Sequence, residues 1–287
     1  MNATASAPTL GRAPLAGQRR SSRMARRLTD VLVLTGRNLV HIAREPLQLS
    51  DVTVQPVLFT LLFVYVFGAG VVLPGGGSYK SFAIAGLLAL NLTTSSMGTA
   101  VGLSTDLGSG MIDRFRTLAM WRPAVLIGRT FADLLTAVIC SAFVAATGLL
   151  VGWRPEGSVL STLAGFGVFL LFSYALSWGC ACLGAISKGP ESAQSTGLVV
   201  VFPLAIVSNA LVPTERMPAV LRTIADWNPV SAVTSASREL FSNPNPSASI
   251  HAWPMQHPVL ASVLWSVALI AVFAPLATRL YRRRTTD

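Results

Sequence analysis

Six apolar runs decide what this chain can become. They cover about residues 52–70, 82–104, 124–152, 159–187, 193–212 and 258–281. Each is long enough, at about 1.5 Å per helical residue, to cross about 30 Å of hydrocarbon. A bilayer offers no water to backbone N–H and C=O groups, so such runs must be helices that satisfy their own backbone. A soluble core is broken into shorter periodic segments. Charge agrees with the membrane reading: only 12% of the 287 residues are charged, where a soluble domain carries about 25%. The expected fold is all-α: a polytopic membrane protein with six transmembrane helices.

Basic residues choose the orientation. Segments 1–51, 105–123, 188–192 and 279–287 together hold 16 Lys or Arg, and the opposite set, 71–81, 153–158 and 213–257, holds 5. The positive-inside rule therefore places both termini and the 105–123 loop in the cytoplasm. Residues 1–23, rich in Ala, Pro, Ser and Arg, read as a disordered cytosolic tail without a cleaved signal. Residues 24–46 read as an interfacial amphipathic helix ended by Pro46. There Leu28, Val31, Leu32, Leu34, Leu39 and Ile42 recur near helical spacing, with Arg26, Arg27, Arg37 and Arg44 between them. Residues 52–281 form the six-span domain, and 282–287 a basic cytosolic tail.

The loop after the second run is GMIDRFRTLAMWRP, residues 110–123. As a helix it gathers Met111, Phe115 and Leu118 on one face, with Asp113, Arg114 and Arg116 elsewhere. An oily face lies against the bundle or a partner, and a basic face meets water or a partner. The 213–257 segment holds two further helical patches on the outer side, which read as short amphipathic helices that dip into the outer leaflet before the sixth span. One is Met217, Val220, Leu221 and Ile224; the other is Val230, Val233, Ala236, Leu240 and Phe241. Trp227-Asn228-Pro229 breaks them apart.

The chemistry of an enzyme is missing. GGGSYKS (75–81) has Tyr79 where a phosphate-binding loop needs its second glycine. There is no nucleophile elbow and no paired-histidine zinc helix. Cys140, Cys180 and Cys182 sit in apolar runs and read as small buried hydrophobes. Within the runs the clear ionisable pair is Arg129 and Asp133, at i and i+4. It reads either as a structural anchor for the loop or as a relay of loop movement into the third span. Asn91, Thr94 and Ser95 in the second run, with Ser173 and Ser177 in the fourth, are candidates for a substrate path. Helix packing through Gly98-x-x-x-Gly102 and Gly148-x-x-x-Gly152 explains such polar, small-residue stretches nearly as well.

GMIDRFRTLAMWRPAVLIGRTFADL (110–134) and MPAVLRTIADWNPVSAVTSASREL (217–240) resemble the type-2 ABC transporter permeases, in particular the daunorubicin-resistance type of the drug-export branch. Many relatives have Leu-Pro where this chain has Leu118-Ala119. The resemblance implies a bacterial plasma-membrane permease subunit of an ATP-driven exporter for a lipophilic drug, antibiotic or lipid-like substrate. It also implies a second permease subunit, identical or related, and cytosolic ATPase subunits that bind the ATP and magnesium, with no cofactor in this chain. Met111, Asp113, Arg114, Phe115, Arg116, Leu118 and Met120 would form the coupling helix that docks the ATPase. A polysaccharide or glycolipid exporter, which would use rings such as Tyr65, Tyr174 and Trp178, and a membrane scaffold without transport are the alternatives.

Overall fold

The computed structural model describes residues 16–68, 70, 73, 76–109 and 123–284. Among them there is no strand. Helix α1, Ala16–Arg44, begins earlier than the 24–46 expectation, so residues 16–23 are helical rather than part of a disordered tail. Helix α1 stops just before Pro46, as expected, because the residue ahead of a proline, here Glu45, is held extended; Pro46 then opens the next helix, α2, Pro46–Val52, as its first residue, where a missing N–H costs nothing. After a break at Thr53, α3 spans Val54–Leu62 and continues as a wider π turn over Phe63–Phe67.

The second run becomes two stacked helices, α4 Tyr79–Ser95 and α5 Met97–Gly108, joined at Ser96. Helices α6 Ala124–Leu150 and α7 Val159–Ile186 follow, then α8 Pro190–Ile206. Next come α9 Ala219–Asp226, α10 Pro229–Leu240 and the short α11 Trp253–Gln256. Helix α12, Pro258–Arg284, closes the chain.

Four of these elements are long and apolar enough to cross a membrane: Tyr79–Gly108, Ala124–Leu150, Val159–Ile186 and Pro258–Arg284. The first expected span is shorter, an apolar helix over Val54–Phe67. The fifth expected span, 193–212, is also shortened, because regular helix stops at Ile206. Pro203 lies inside that helix and weakens its last turn by removing a donor.

The element Tyr79–Gly108 is the axis of the bundle: 72% of its apolar window is buried, against 17% for Pro258–Arg284. Ile84, Leu88 and Leu92 of α4 pack with Cys140 and Val144 of α6, Phe169 and Phe172 of α7, and Val230 and Val233 of α10. Helix α12 leaves Leu260, Leu264, Val267, Val272 and Leu276 exposed. Surface of that extent is tolerated in lipid and not in water.

The glycine spacings have different jobs from those expected. Gly98 has open space where a Cβ would stand. At Gly102 a Cβ would fall 2.1 Å from the Arg129 guanidinium, so this glycine makes room for a charged side chain. Gly148 does pack between helices, against Ile84, but Gly152 serves the turn after α6 with φ +95°. The closest helix approach comes from Gly184, whose Cβ would lie 2.5 Å from the Ala100 carbonyl oxygen.

Candidate coupling site and outer cap

Both ends of the 110–122 segment are held near α1. At its entrance Arg37 of α1 donates to the Asp106 carboxylate of α5 at 2.8 Å. At its exit the Thr35 hydroxyl of α1 reaches the Gly128 carbonyl of α6 at 3.2 Å. Gly128 permits this approach, since a Cβ there would stand 2.9 Å from the Leu34 Cβ. Leu34, Thr35 and Asn38 are therefore buried, whereas Leu28, Leu32 and Val33 are exposed. Helix α1 thus has two apolar sides, one on the protein and one open. The expected docking residues Met111, Asp113, Arg114, Phe115, Arg116, Leu118 and Met120 lie outside the described residues.

One turn further into α6, Arg129 and Asp133 stand 3.5 Å apart, Nε to Oδ2. Their main partners are on the neighbouring helix. Arg129 Nη2 donates to the Gly98 carbonyl at 2.7 Å, and the Thr99 hydroxyl donates to Asp133 at 2.5 Å. The pair thus ties α6 to the first turn of α5, just below the Ser96 joint.

Three of the candidate path residues bond within their own helices. Asn91 is buried and donates to the Leu87 carbonyl of its own helix. Thr94 likewise donates to Leu90, and Ser177 to Tyr174. Ser173 is buried, and Ser95 is exposed. Tyr174 and Trp178 pack edge to face at 6.2 Å, while Tyr65 is exposed on the π turn.

Helix α10 and the segment after α8 hold a polar assembly that sequence reasoning missed. Beyond Ile206 the chain unwinds, and α10 supplies the partners its backbone has lost. Asn228 Nδ2 donates to the Leu204 and Val207 carbonyls at 2.7 and 2.5 Å. The Asn209 N–H donates to the Ser231 hydroxyl, and the Asn209 amide donates to Ser235 and Ser247. Arg238 donates to the Asn209 and Ala210 carbonyls at 3.0 and 2.8 Å. Residues 228, 231, 235 and 238 form one stripe at helical spacing, which was the available signal. Backbone that leaves the helix away from water needs its polar groups satisfied in this way. Helix α10 is accordingly buried from Val230 to Arg238 rather than dipped into lipid, whereas Val220, Leu221 and Ile224 of α9 are exposed. A cavity of about 450 Å³ lies beside this cap, lined by Glu239, Ser242, Asn243, Asn245, Met255, Gln256 and Pro258.

Residues 29–241 match the family model described as ABC-2 type transporter. The chain belongs to the ABC-2 type transporter family. This family supplies ABC transporter permease subunits, which are not themselves catalytic, and membership implies an ABC ATPase partner. The ABC-2 chain is 34% identical to a daunorubicin resistance ABC transporter permease protein of Streptomyces coeruleorubidus, over 94% of this chain and 95% of the relative. It is 25% identical to a probable doxorubicin resistance ABC transporter permease protein of Mycobacterium tuberculosis, with 90% of each covered. It is also 25% identical to a putative transport permease of Pyropia yezoensis, with 76% of each covered. Family membership and the long apolar helices make it a multi-pass membrane protein.

Proposed function

We propose that this ABC-2 permease exports a lipophilic drug or antibiotic from a bacterial cell, with six spans and both termini in the cytoplasm. The shorter helices Val54–Phe67 and Pro190–Ile206 serve as the first and fifth spans. The tethering of both roots of the 110–122 segment to α1 carries this reading. A docked ATPase that pushes on the segment would move α1, α5 and α6 as one body. The partner ATPase binds ATP and magnesium, and a second permease subunit, identical or related, completes the path. The drug class follows the names of the relatives.

Docking would rest on the apolar residues of 110–122, Phe115 above all. A buried aromatic anchor carries more affinity than rim charges, which tune rate and register. Phe115→Ala is therefore expected to lose the ATPase in a mild-detergent pull-down, and Arg116→Ala to retain most of it. Wild-type chain that purifies alone, with no nucleotide hydrolysis, would return the scaffold reading.

A further inference from the structure

Arg238 is fully buried, yet among the described residues no carboxylate pairs with it. The hydrogen bonds of its guanidinium go to backbone oxygens. Nη1 donates to Asn209 at 3.0 Å, and Nη2 donates to Ala210 at 2.8 Å and to Phe82 at 3.2 Å. Nε also donates to Phe82, at 3.3 Å. The Phe82 ring lies under the guanidinium, its centroid 3.6 Å from Cζ. One side chain from α10 thus clasps the outer end of the second span and the unwound end of the fifth. Gly86 lets these two come together: a Cβ there would stand 1.6 Å from the Ala210 oxygen.

This is an unusual way to hold a cation. Burying a charge is costly unless it is well paired. A carboxylate would pair it most strongly, but breaking such a bridge would strand two charges. Carbonyl oxygens have other outlets. Rewinding cannot serve the Asn209 carbonyl, because its helical partner would be Pro213, which has no N–H, but the freed carbonyls and the guanidinium can all be hydrated if the region opens to water. That arrangement leaves no buried charge unpaired, so the clasp is suited to repeated release.

We propose that Arg238 is the latch of the outer gate: a positioning residue that holds the unwound end of the fifth span against the second span until the path opens outward. The proposal rests on the transport reading. Ser208 reports on it, because it lies in the unwound segment and is buried. The native cysteines Cys140, Cys180 and Cys182 are buried too and are replaced by alanine for the test.

The experiment follows labelling of Ser208→Cys by a membrane-impermeant maleimide in membranes of the native host, where the partners are present. Labelling is expected to be slow at rest and at least about tenfold faster after trapping with ATP and orthovanadate, as for a closed state with a minor open population. Adding Arg238→Gln should bring the resting rate up to the trapped rate while vanadate-sensitive ATP hydrolysis persists. Arg238→Lys, which keeps the charge but not the fork, should fall between. Equal labelling rates in the two nucleotide states of the chain with Arg238 intact would overturn the latch, whether or not the variants fold. Absence of vanadate-sensitive ATP hydrolysis associated with this chain would remove the transport reading, and the latch with it.

Discussion

Arg129 crosses from the third span to the second and donates to the Gly98 carbonyl at 2.7 Å, its guanidinium lying where a side chain at residue 102 would otherwise stand. Gly102→Ala must therefore expel the guanidinium. Stranding these polar groups costs about 1–3 kcal/mol, partly offset by up to about 1 kcal/mol of helix propensity. The thermal midpoint in detergent should fall. In an Arg129→Ala background the same change should cost nothing. An equal loss in both backgrounds would show that Gly102 has a different role.

Gly86 and Gly98 lie on the same span and predict opposite outcomes. Gly86→Ala places a methyl group into the Ala210 backbone, which has no flexible end to yield, so folded protein should be nearly lost in size-exclusion profiles. Gly98→Ala meets open space. It should fold as well as the parent or slightly better, by up to about 1 kcal/mol.

The Arg37–Asp106 bridge is partly exposed, with 32% and 12% of the two side chains accessible. Such a pair contributes under about 1 kcal/mol and is weakened by salt. Asp106→Asn should lower the thermal midpoint by only a few degrees at low salt, and by less at high salt. A loss that is large and independent of salt would mean that Asp106 is held by more than this bridge.

Asp226, at the end of α9, accepts a hydrogen bond from the Thr214 hydroxyl at 3.1 Å. Burial pushes its pKa up, and the Thr214 bond and Arg222 only partly oppose that. The folded carboxyl therefore holds its proton more tightly than the unfolded one. Its contribution to stability is complete below the ordinary carboxylate range and is lost as pH rises through the raised pKa. Asp226→Asn should melt above the parent at about pH 7, and the two should converge near about pH 4. A constant difference across that range would rule this out.

The helical bundle was largely legible because run length is a strong signal: a bilayer fixes the minimum length of a span. The second, third, fourth and sixth runs coincide with long helices. The end of the fifth run was hidden. Its apolar wording continues through Ala210, Leu211 and Val212, while the groups that permit unwinding sit on α10, 21 to 29 positions later. In α10 itself the apolar residues Val230, Val233 and Ala236 drew the eye to a lipid-facing helix. The stripe at 228, 231, 235 and 238 carried the structural meaning. At Gly102 small-residue spacing correctly signals a close approach. It does not reveal that the approaching group is a guanidinium rather than another backbone.

Backbone capping from a later segment imposes an order on biogenesis. When the ribosome has finished residues 204–210, the donors that will satisfy their carbonyls do not yet exist. At about 5–20 residues per second they follow about 1–6 seconds afterwards. Through that interval the nascent fifth helix cannot settle at its final depth as an independent unit. It must remain with the translocon or its lining water until Asn228 and Arg238 have emerged and folded back. Helices α8 and α10 are therefore one insertion unit, although 22 residues of sequence separate the end of one from the start of the other.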